Sequence, residues 1–334
     1  MRGRRATQKD VAARAGVSQA MVSMILSGSG APMPAETRAR VSSAAAELGY
    51  VPNRFARALK TSRTMTLACI VPDITNPFYP SLIRGLQSVA EAEGYDVLAV
   101  NSDGDPSRER HLLDWARQGR VDGVVGVFWT LKAADFGRLL RDGVPVVRIE
   151  STRKGAGELA LDDIFVDSRA ASYEMTRLLL RRGHARVAMI AGRGGPQGAR
   201  VEGYRTAMAE AGGAPDVVLD DQFNEEGGLR AARALLARDP RPTAIFAAND
   251  LMAIGAMQAI REGGLAVPGD VAVAGFDDIA AARMVSPGLT TVAQFQGEVG
   301  ARAACALLAR LRGEATGAGS AVEMPFRLIE RGST

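Results

Sequence analysis

The chain has 334 residues, enough for two or three domains at roughly 100–200 residues each. Its 47% hydrophobic and 23% charged residues are those of an ordinary globular protein, which excludes disorder, collagen and long coiled-coil arrays. The net charge of +4 is unevenly spread: ten basic side chains (Arg2, Arg4, Arg5, Lys9, Arg14, Arg38, Arg40, Arg54, Arg57 and Lys60) against Asp10, Glu36 and Glu47 give residues 1–60 a net +7, leaving −3 for the remainder. A basic head on a near-neutral body is the footprint of a protein whose head alone meets a polyanion. No apolar run approaches the ~20 residues of a membrane span, and Asp10 arrives before a leader's apolar segment could form, so the expected location is the cytoplasm, without a membrane partner. Cys69 and Cys305 lie in the apolar contexts LACIV and AACAL without CxxC spacing; both are expected to be buried, with neither a disulfide nor a metal site.

Thr7 and Asp10 have capping-box spacing, and Val11, Ala12 and Ala15 form a short apolar stripe before Gly16 stops the first helix. Ser18 caps a second helix, Gln19 to Leu26, with Val22 and Ile25 on one face, before the breaker run SGSGAPMP. A third helix, from Ala35 to Leu48, turns Val41, Ala44, Ala45 and Leu48 inward and ends at Gly49. Two short helices across a glycine turn with a supporting third form the helix-turn-helix pattern, whose second helix enters the DNA major groove. In VPNRFARALKTSRT, Asn53 can cap a two-turn basic helix, Arg54 to Lys60, too short to be stable alone. Its one large apolar residue, Leu59, suits an apolar wedge in a minor groove.

The segments KDVAARAGVSQAMVSMILSG, ETRARV, AELGYVPNRFARALKTSRT and IVPDITNPFY, in this order and spacing, resemble the LacI/GalR family of bacterial transcription regulators. The resemblance implies a helix-turn-helix headpiece (residues 1–50), a hinge helix and linker (51–63) that orders on operator DNA, and a body like the periplasmic sugar-binding proteins (64–334). It also implies a homodimer reading a pseudo-palindromic double-stranded operator. On that pattern Gln19, Ala20 and Met24 choose bases, while Thr7, Ser18, Met21, Ser23, Asn53, Arg54 and Arg57 touch backbone or pack. Most relatives carry arginine at the position of Met24; methionine makes only apolar contact, for instance with a thymine methyl, where arginine would read guanine.

From Thr64 onward, apolar runs (MTLACIV, YDVLAV, GVVGVF, PVVRI, then RVAMIA, TAIFAA, VAVAGF) alternate with helical stretches. The fold class is therefore α/β, with two parallel sheets covered on both faces. SLIRGLQSVAEAEGYDV echoes ARVEGYRTAMAEAGGAPDV, which favours two similar subdomains, placed at roughly 64–163 with 293–320 and 164–292 with 321–334. Ligands bind such sheets beyond the carboxyl ends of the strands, so the cleft between subdomains is the expected site. Strand-end loops carry Asp73, Asn76, Phe78, Tyr79, Trp129, Glu150, Ser151, Arg200, Asn249, Asp277, Asp278 and Gln294. Aromatic faces pack on the C–H faces of a sugar ring, and the polar set matches hydroxyl groups.

The resemblance aligns Asn76, Phe78, Tyr79, Arg200, Asn249, Asp277 and Gln294 with the ligand-contacting residues of ribose-binding relatives. Those relatives show Asp-Arg where this chain has Glu150-Ser151, which argues against ribose itself. The loop GRGGPQG, residues 192–198, matches neither GxGxxG nor GxxxxGK. No catalytic arrangement is legible among two histidines, and no cofactor is expected; adjacent Asp277 and Asp278 point to opposite faces of a strand end. Three classes compete at this point: a sugar-responsive DNA-binding repressor, with a purine as the alternative effector; a periplasmic-type sugar-binding protein; and a sugar-processing enzyme.

Overall fold

The computed structural model describes residues 6–26, 33–51, 63–154 and 157–334. The chain divides into two compact units, residues 1–64 and 65–334.

The first unit is helical. Helix α1 (Gln8–Ala15) begins at the Thr7–Asp10 capping box and ends at Gly16 in the left-handed conformation, φ 67°. Helix α2 (Gln19–Leu26) starts where the Ser18 hydroxyl accepts from Met21 N–H at 3.2 Å. Helix α3 (Ala35–Glu47) lays Val41, Ala44 and Ala45 over the buried faces of α1 (Val11, Ala12, Ala15) and α2 (Val22, Ile25). Leu48, expected inward, is exposed, because it lies past the last full turn of α3 and Tyr50 takes its place against the core. The hinge residues Asn53, Arg54, Arg57 and Leu59 lie outside the described residues.

The second unit holds two lobes. In the first, six strands among the described residues order as β11-β5-β4-β3-β1-β2, all parallel: β1 (Thr66–Val71), β2 (Asp96–Asn101), β3 (Gly123–Gly126), β4 (Val146–Glu150), β5 (Leu161–Val166) and β11 (Ala321–Met324). Helices α4 (Phe78–Ala92) and α11 (Gln296–Leu311) cover one face; α5 (Pro106–Trp115) and α6 (Gly137–Arg141) cover the other. The second lobe has the order β7-β6-β8-β9, from β6 (Val187–Ala191), β7 (Asp216–Leu219), β8 (Ala244–Ala247) and β9 (Ala272–Ala274). Its faces carry α7 (Ser168–Arg181) with α8 (Gln197–Glu210), and α9 (Glu225–Leu236) with α10 (Asp250–Glu262). The two echoing segments, α4–β2 and α8–β7, occupy equivalent places in the lobes.

Helices pair through glycines. A Cβ at Gly85 of α4 would lie 1.9 Å from Gly297 O, one at Gly300 of α11 2.0 Å from Leu82 O, and one at Gly203 of α8 2.1 Å from Arg169 O. Gly228 of α9 and Gly255 of α10 meet each other's helix as closely, at 2.1 Å from Met252 O and 2.0 Å from Glu225 O. Only a hydrogen in place of the side chain allows backbones this near.

The chain crosses between lobes three times: from β5 to α7, from β10 (Thr291–Ala293) to α11, and from β11 to β12 (Arg327–Ile329). The expected subdomain limits at 163/164 and 320/321 fall inside β5 and just ahead of β11. Ladder hydrogen bonding keeps both strands in the first sheet, so the crossings lie three or four residues later. Cys69 is buried on β1, and burial pushes its thiol up to about 12. Cys305, expected buried, is exposed on α11, since Ala303, Ala304, Leu307 and Leu308 define the inward face.

Candidate functional site

In each lobe the strand order reverses direction beside the first strand, between β1 and β3 and between β6 and β8. Loops leaving the carboxyl ends there cannot both be covered by crossover helices, which leaves a crevice. A cavity of about 80 Å³ opens between the lobes at these ends.

From the first lobe, the turn before α4 supplies Asn76 and the first turn of α4 supplies Phe78 and Tyr79. Asn76 Oδ1 accepts from Phe78 N–H at 3.0 Å, leaving its amide nitrogen to donate. Phe78 and Tyr79 meet edge to face, with centroids 5.2 Å apart. Trp129 enters from the loop after β3, and Glu150 and Ser151 from the end of β4. Glu150 shares a face of β4 with Arg148 and lies 3.6 Å from it, while Arg148 forms a paired contact with Asp163 at 2.8 and 2.9 Å. Lys154 reaches back to Glu150 at 2.6 Å. Burial raises the Glu150 carboxyl above its usual range, and the Lys154 ammonium opposes the rise.

From the second lobe, α8 presents Arg200, stacked 3.8 Å over the Phe276 ring. Its guanidinium donates to Ala248 O and, at 3.5 Å, to Asp277; its Nε is buried without a partner. Asp277 also accepts from Gln294 Nε2 at 2.6 Å, and Gln296 donates to its carbonyl. Burial pushes the Asp277 carboxyl up to about 6, against the pull of Arg200 and the Gln294 bond. Asp277 and Asp278 stand at φ 120° and 53°, a left-handed bend that aims their side chains apart: Asp278 pairs with Arg331 at 2.6 Å. Non-glycine residues held in this region are strained and gather at binding sites.

The cavity wall thus includes Asn76, Phe78, Tyr79, Trp129, Glu150, Ser151, Arg200, Asp277 and Gln294. Three of the strand-end candidates lie elsewhere, Asp278 on Arg331 being one. Asn249 is fully buried as the N-cap of α10, its oxygen accepting from Met252 N–H at 2.8 Å and its nitrogen donating to Phe223 O at 3.1 Å. Asp73 closes its own turn on Thr75 and is not part of the wall. Lys154, Ser168 and Phe223 line the cavity without having been expected. Phe223 follows β7 in a strand-end loop, the same signal that marked the others.

In the first unit, Gln19, Ala20 and Met24 lie exposed on α2, opposite Val22 and Ile25. Met21 and Ser23 are half-buried, the Ser18 hydroxyl serves as a cap, and the Thr7 hydroxyl donates to Asp10 at 2.7 Å. Arg14 pairs with Glu47 at 2.6 Å, which compensates one of the head's positive charges.

A family model described as bacterial regulatory proteins, lacI family, matches residues 7–53, and one described as periplasmic binding protein-like domain matches 176–334. The ribose operon repressor of Escherichia coli (strain K12) is 37% identical, over 98% of this chain and 99% of its own. Catabolite control protein A of Priestia megaterium is 33% identical, over 97% and 98%. The chain belongs to the lacI family. LacI-family members are transcriptional regulators, so this protein is a DNA-binding regulator and not an enzyme. Among solved structures, the transcriptional regulator CelR–cellobiose complex matches this lacI-family chain at 33% identity with a TM-score of 0.71, covering 99% of the chain and 100% of its own. Among the described residues no group of three His, Cys, Asp or Glu could hold a metal ion, and no helix is long and apolar enough to cross a membrane.

Proposed function

We propose that this regulator is a homodimeric, cytoplasmic repressor whose grip on a pseudo-palindromic operator is set by a small sugar or sugar derivative bound between the lobes. In this reading residues 1–50 are the DNA headpiece, 51–63 the hinge and 64–334 the effector-binding and dimerisation body. The observation that carries it is the convergence, from loops of both lobes, of aromatic edges with a polar set whose charges already cancel. Arg200 is matched by Asp277, and Lys154 by Glu150. Such a site has hydrogen-bonding capacity for hydroxyl groups but no spare net charge for an anion. Two relatives point the same way, one named for the ribose operon and one solved with cellobiose. The edge strand β2 exposes Leu98, and the exposed Ile74 is bonded through its N–H to Asn101 at the strand's end, which offers apolar surface for a second copy.

On DNA, Gln19, Ala20 and Met24 read bases, Thr7, Ser18, Met21, Ser23, Asn53, Arg54 and Arg57 hold the backbone, and Leu59 wedges the minor groove. Effector closure of the lobes would shift the dimer contacts and hence the hinges, in proportion to its differential affinity for the two states. The test is a thermal-shift screen of pentoses, hexoses, their phosphates and purines, followed by gel shifts on operator DNA with each hit at two salt concentrations. Operator affinity should fall with salt by about −0.9 in log–log slope per phosphate neutralised. A sugar should shift the melting curve and the operator affinity together, and both Arg200→Ala and Asp277→Ala should abolish the melting shift. A purine hit, salt-independent DNA binding, or normal sugar binding by both variants would overturn the reading.

A further inference from the structure

The side chain of Trp129, on the first-lobe wall of the cavity, packs on a glycine of the second lobe. A Cβ at Gly195, in the loop after β6, would lie 2.7 Å from Cε2 and Nε1 of the indole; a Cβ at Gly104, in the loop after β2, would lie 2.4 Å from Cε3. Both glycines have positive φ, 55° and 62°. The two turns therefore close on the indole in a way that no residue with a side chain could reproduce. The indole Nε1 is buried beside the Tyr79 phenol but makes no hydrogen bond of normal geometry.

The backbone under Trp129 is fixed as firmly as its ring. Glu109, on α5 and fully buried, accepts from Trp129 N–H at 2.7 Å and from the N–H and hydroxyl of Thr130 at 3.1 and 2.5 Å. One carboxylate satisfying three donors leaves this loop a single position. The next residue back, Phe128, is buried against Phe136 with centroids 5.0 Å apart, so the loop is anchored on its core side as well. A ring pinned at its root and clasped by the opposite lobe behaves as an end wall. It is not a side chain that can swing aside for a longer ligand.

From this geometry we propose that Trp129 is the size-determining residue of the effector site, limiting the cavity to one sugar ring. Glu109 is its positioning residue. The proposal rests on the sugar reading above. It predicts that a disaccharide is excluded, in contrast to the relative solved with cellobiose.

The experiment is calorimetric titration of D-ribose, D-xylose, D-glucose, D-galactose and cellobiose into the full-length protein. The variants are Trp129→Ala, Glu109→Gln and Arg200→Ala. Wild type should bind at least one monosaccharide and not cellobiose. Trp129→Ala should bind that monosaccharide about tenfold more weakly, which is about 1.4 kcal/mol, and acquire measurable cellobiose binding. Glu109→Gln keeps the indole but loosens its loop, and should move both affinities in the same direction by less. With Trp115→Phe leaving Trp129 as the sole tryptophan, the Glu109→Gln change should make its emission easier to quench with acrylamide. Wild type binding cellobiose as well as a monosaccharide, or Trp129→Ala and Glu109→Gln both matching wild type on every sugar, would overturn the assignment of Trp129. If Arg200→Ala meanwhile loses all sugar binding, the cleft reading stands without it. If wild type binds none of the five sugars, or Arg200→Ala binds them normally, the sugar reading fails and the Trp129 proposal fails with it.

Discussion

Replacing Arg200 by methionine should destabilise the protein by an amount that grows with pH. Asp277 is the reason. Its carboxyl titrates at about 6 in the folded protein against an ordinary 3.8, and each unit of difference is about 1.36 kcal/mol, so keeping it ionised at pH 7 costs folding about 3 kcal/mol. Without the guanidinium, Asp277 holds its proton instead. Folding at pH 7 must then return a proton that an unfolded Asp has already lost, which costs about 4 kcal/mol. The carboxylate's share of the Arg200→Met penalty is the difference, about 1 kcal/mol at pH 7, growing by about 1 kcal/mol for each further pH unit and nearly absent at pH 6. A carboxyl raised in the folded state loses stability as pH rises through its folded value, so wild type is flat above pH 6 with respect to this group while the variant keeps falling. The lost attraction can sustain that fall, since unit charges 3.5 Å apart at an effective dielectric of 20 attract by about 5 kcal/mol. Urea midpoints at pH 6, 7 and 8 for wild type, Arg200→Met, Asp277→Asn and the double variant would measure it. A penalty independent of pH, or the same slope when Asp277→Asn is also present, refutes the argument.

Tyr204→Phe should cost about 1–3 kcal/mol in urea denaturation, because the hydroxyl donates to Val187 O at 2.7 Å and accepts from Asp216 N–H at 2.8 Å in a fully buried setting; a midpoint unchanged from wild type would contradict this. Gly300→Ala should lower the melting temperature through backbone overlap with Leu82, worth about 1–3 kcal/mol, whereas Gly137→Ala, whose nearest neighbour would be 3.5 Å away, should not. Met24→Arg should change the operator sequence selected from a random pool toward guanine at one position of each half-site; an unchanged motif would remove α2 residue 24 from base readout.

The parts of this protein legible in its sequence are those set by local chemistry. Thr7, Asp10 and Ser18 delimit α1 and α2 through bonds spanning three residues and Gly16 through its left-handed φ, and these form whatever surrounds them. Asp277 and Gln294 sit at strand ends and Arg200 in the first turn of the helix after β6, where the alternation of strands and helices alone places them in a crevice. Asn249 shows the limit of that inference. It stands at a strand end too, but the helix that follows needs a cap, and both ends of its amide are used within the protein. Lys154 and Ser168 belong to the cavity only because β4, β5 and α7 converge there, which no short motif encodes. The misplaced limits of β5 and β11 have a similar origin, since a strand's membership in one sheet or the other depends on pairing with chain far away in sequence.

The glycine-paired helices and the threefold crossing together determine how this body can deform. Backbones in contact at Gly85, Gly300, Gly203, Gly228 and Gly255 leave no layer of side chains to shear, so each lobe is mechanically stiff. Compliance is left to three short ties near residues 167, 294–295 and 325–326, and in one of them Phe295 holds φ 53° under the Arg327 guanidinium, which lies 5.7 Å from its ring centroid. A single tether would let the lobes swivel freely, whereas three side-by-side ties resist twist and shear and yield chiefly to bending. Strain injected anywhere in the cavity is therefore channelled into one angular coordinate, which is what a body needs if a few ångströms of movement at a ligand are to be read as a single on-or-off displacement at its far end.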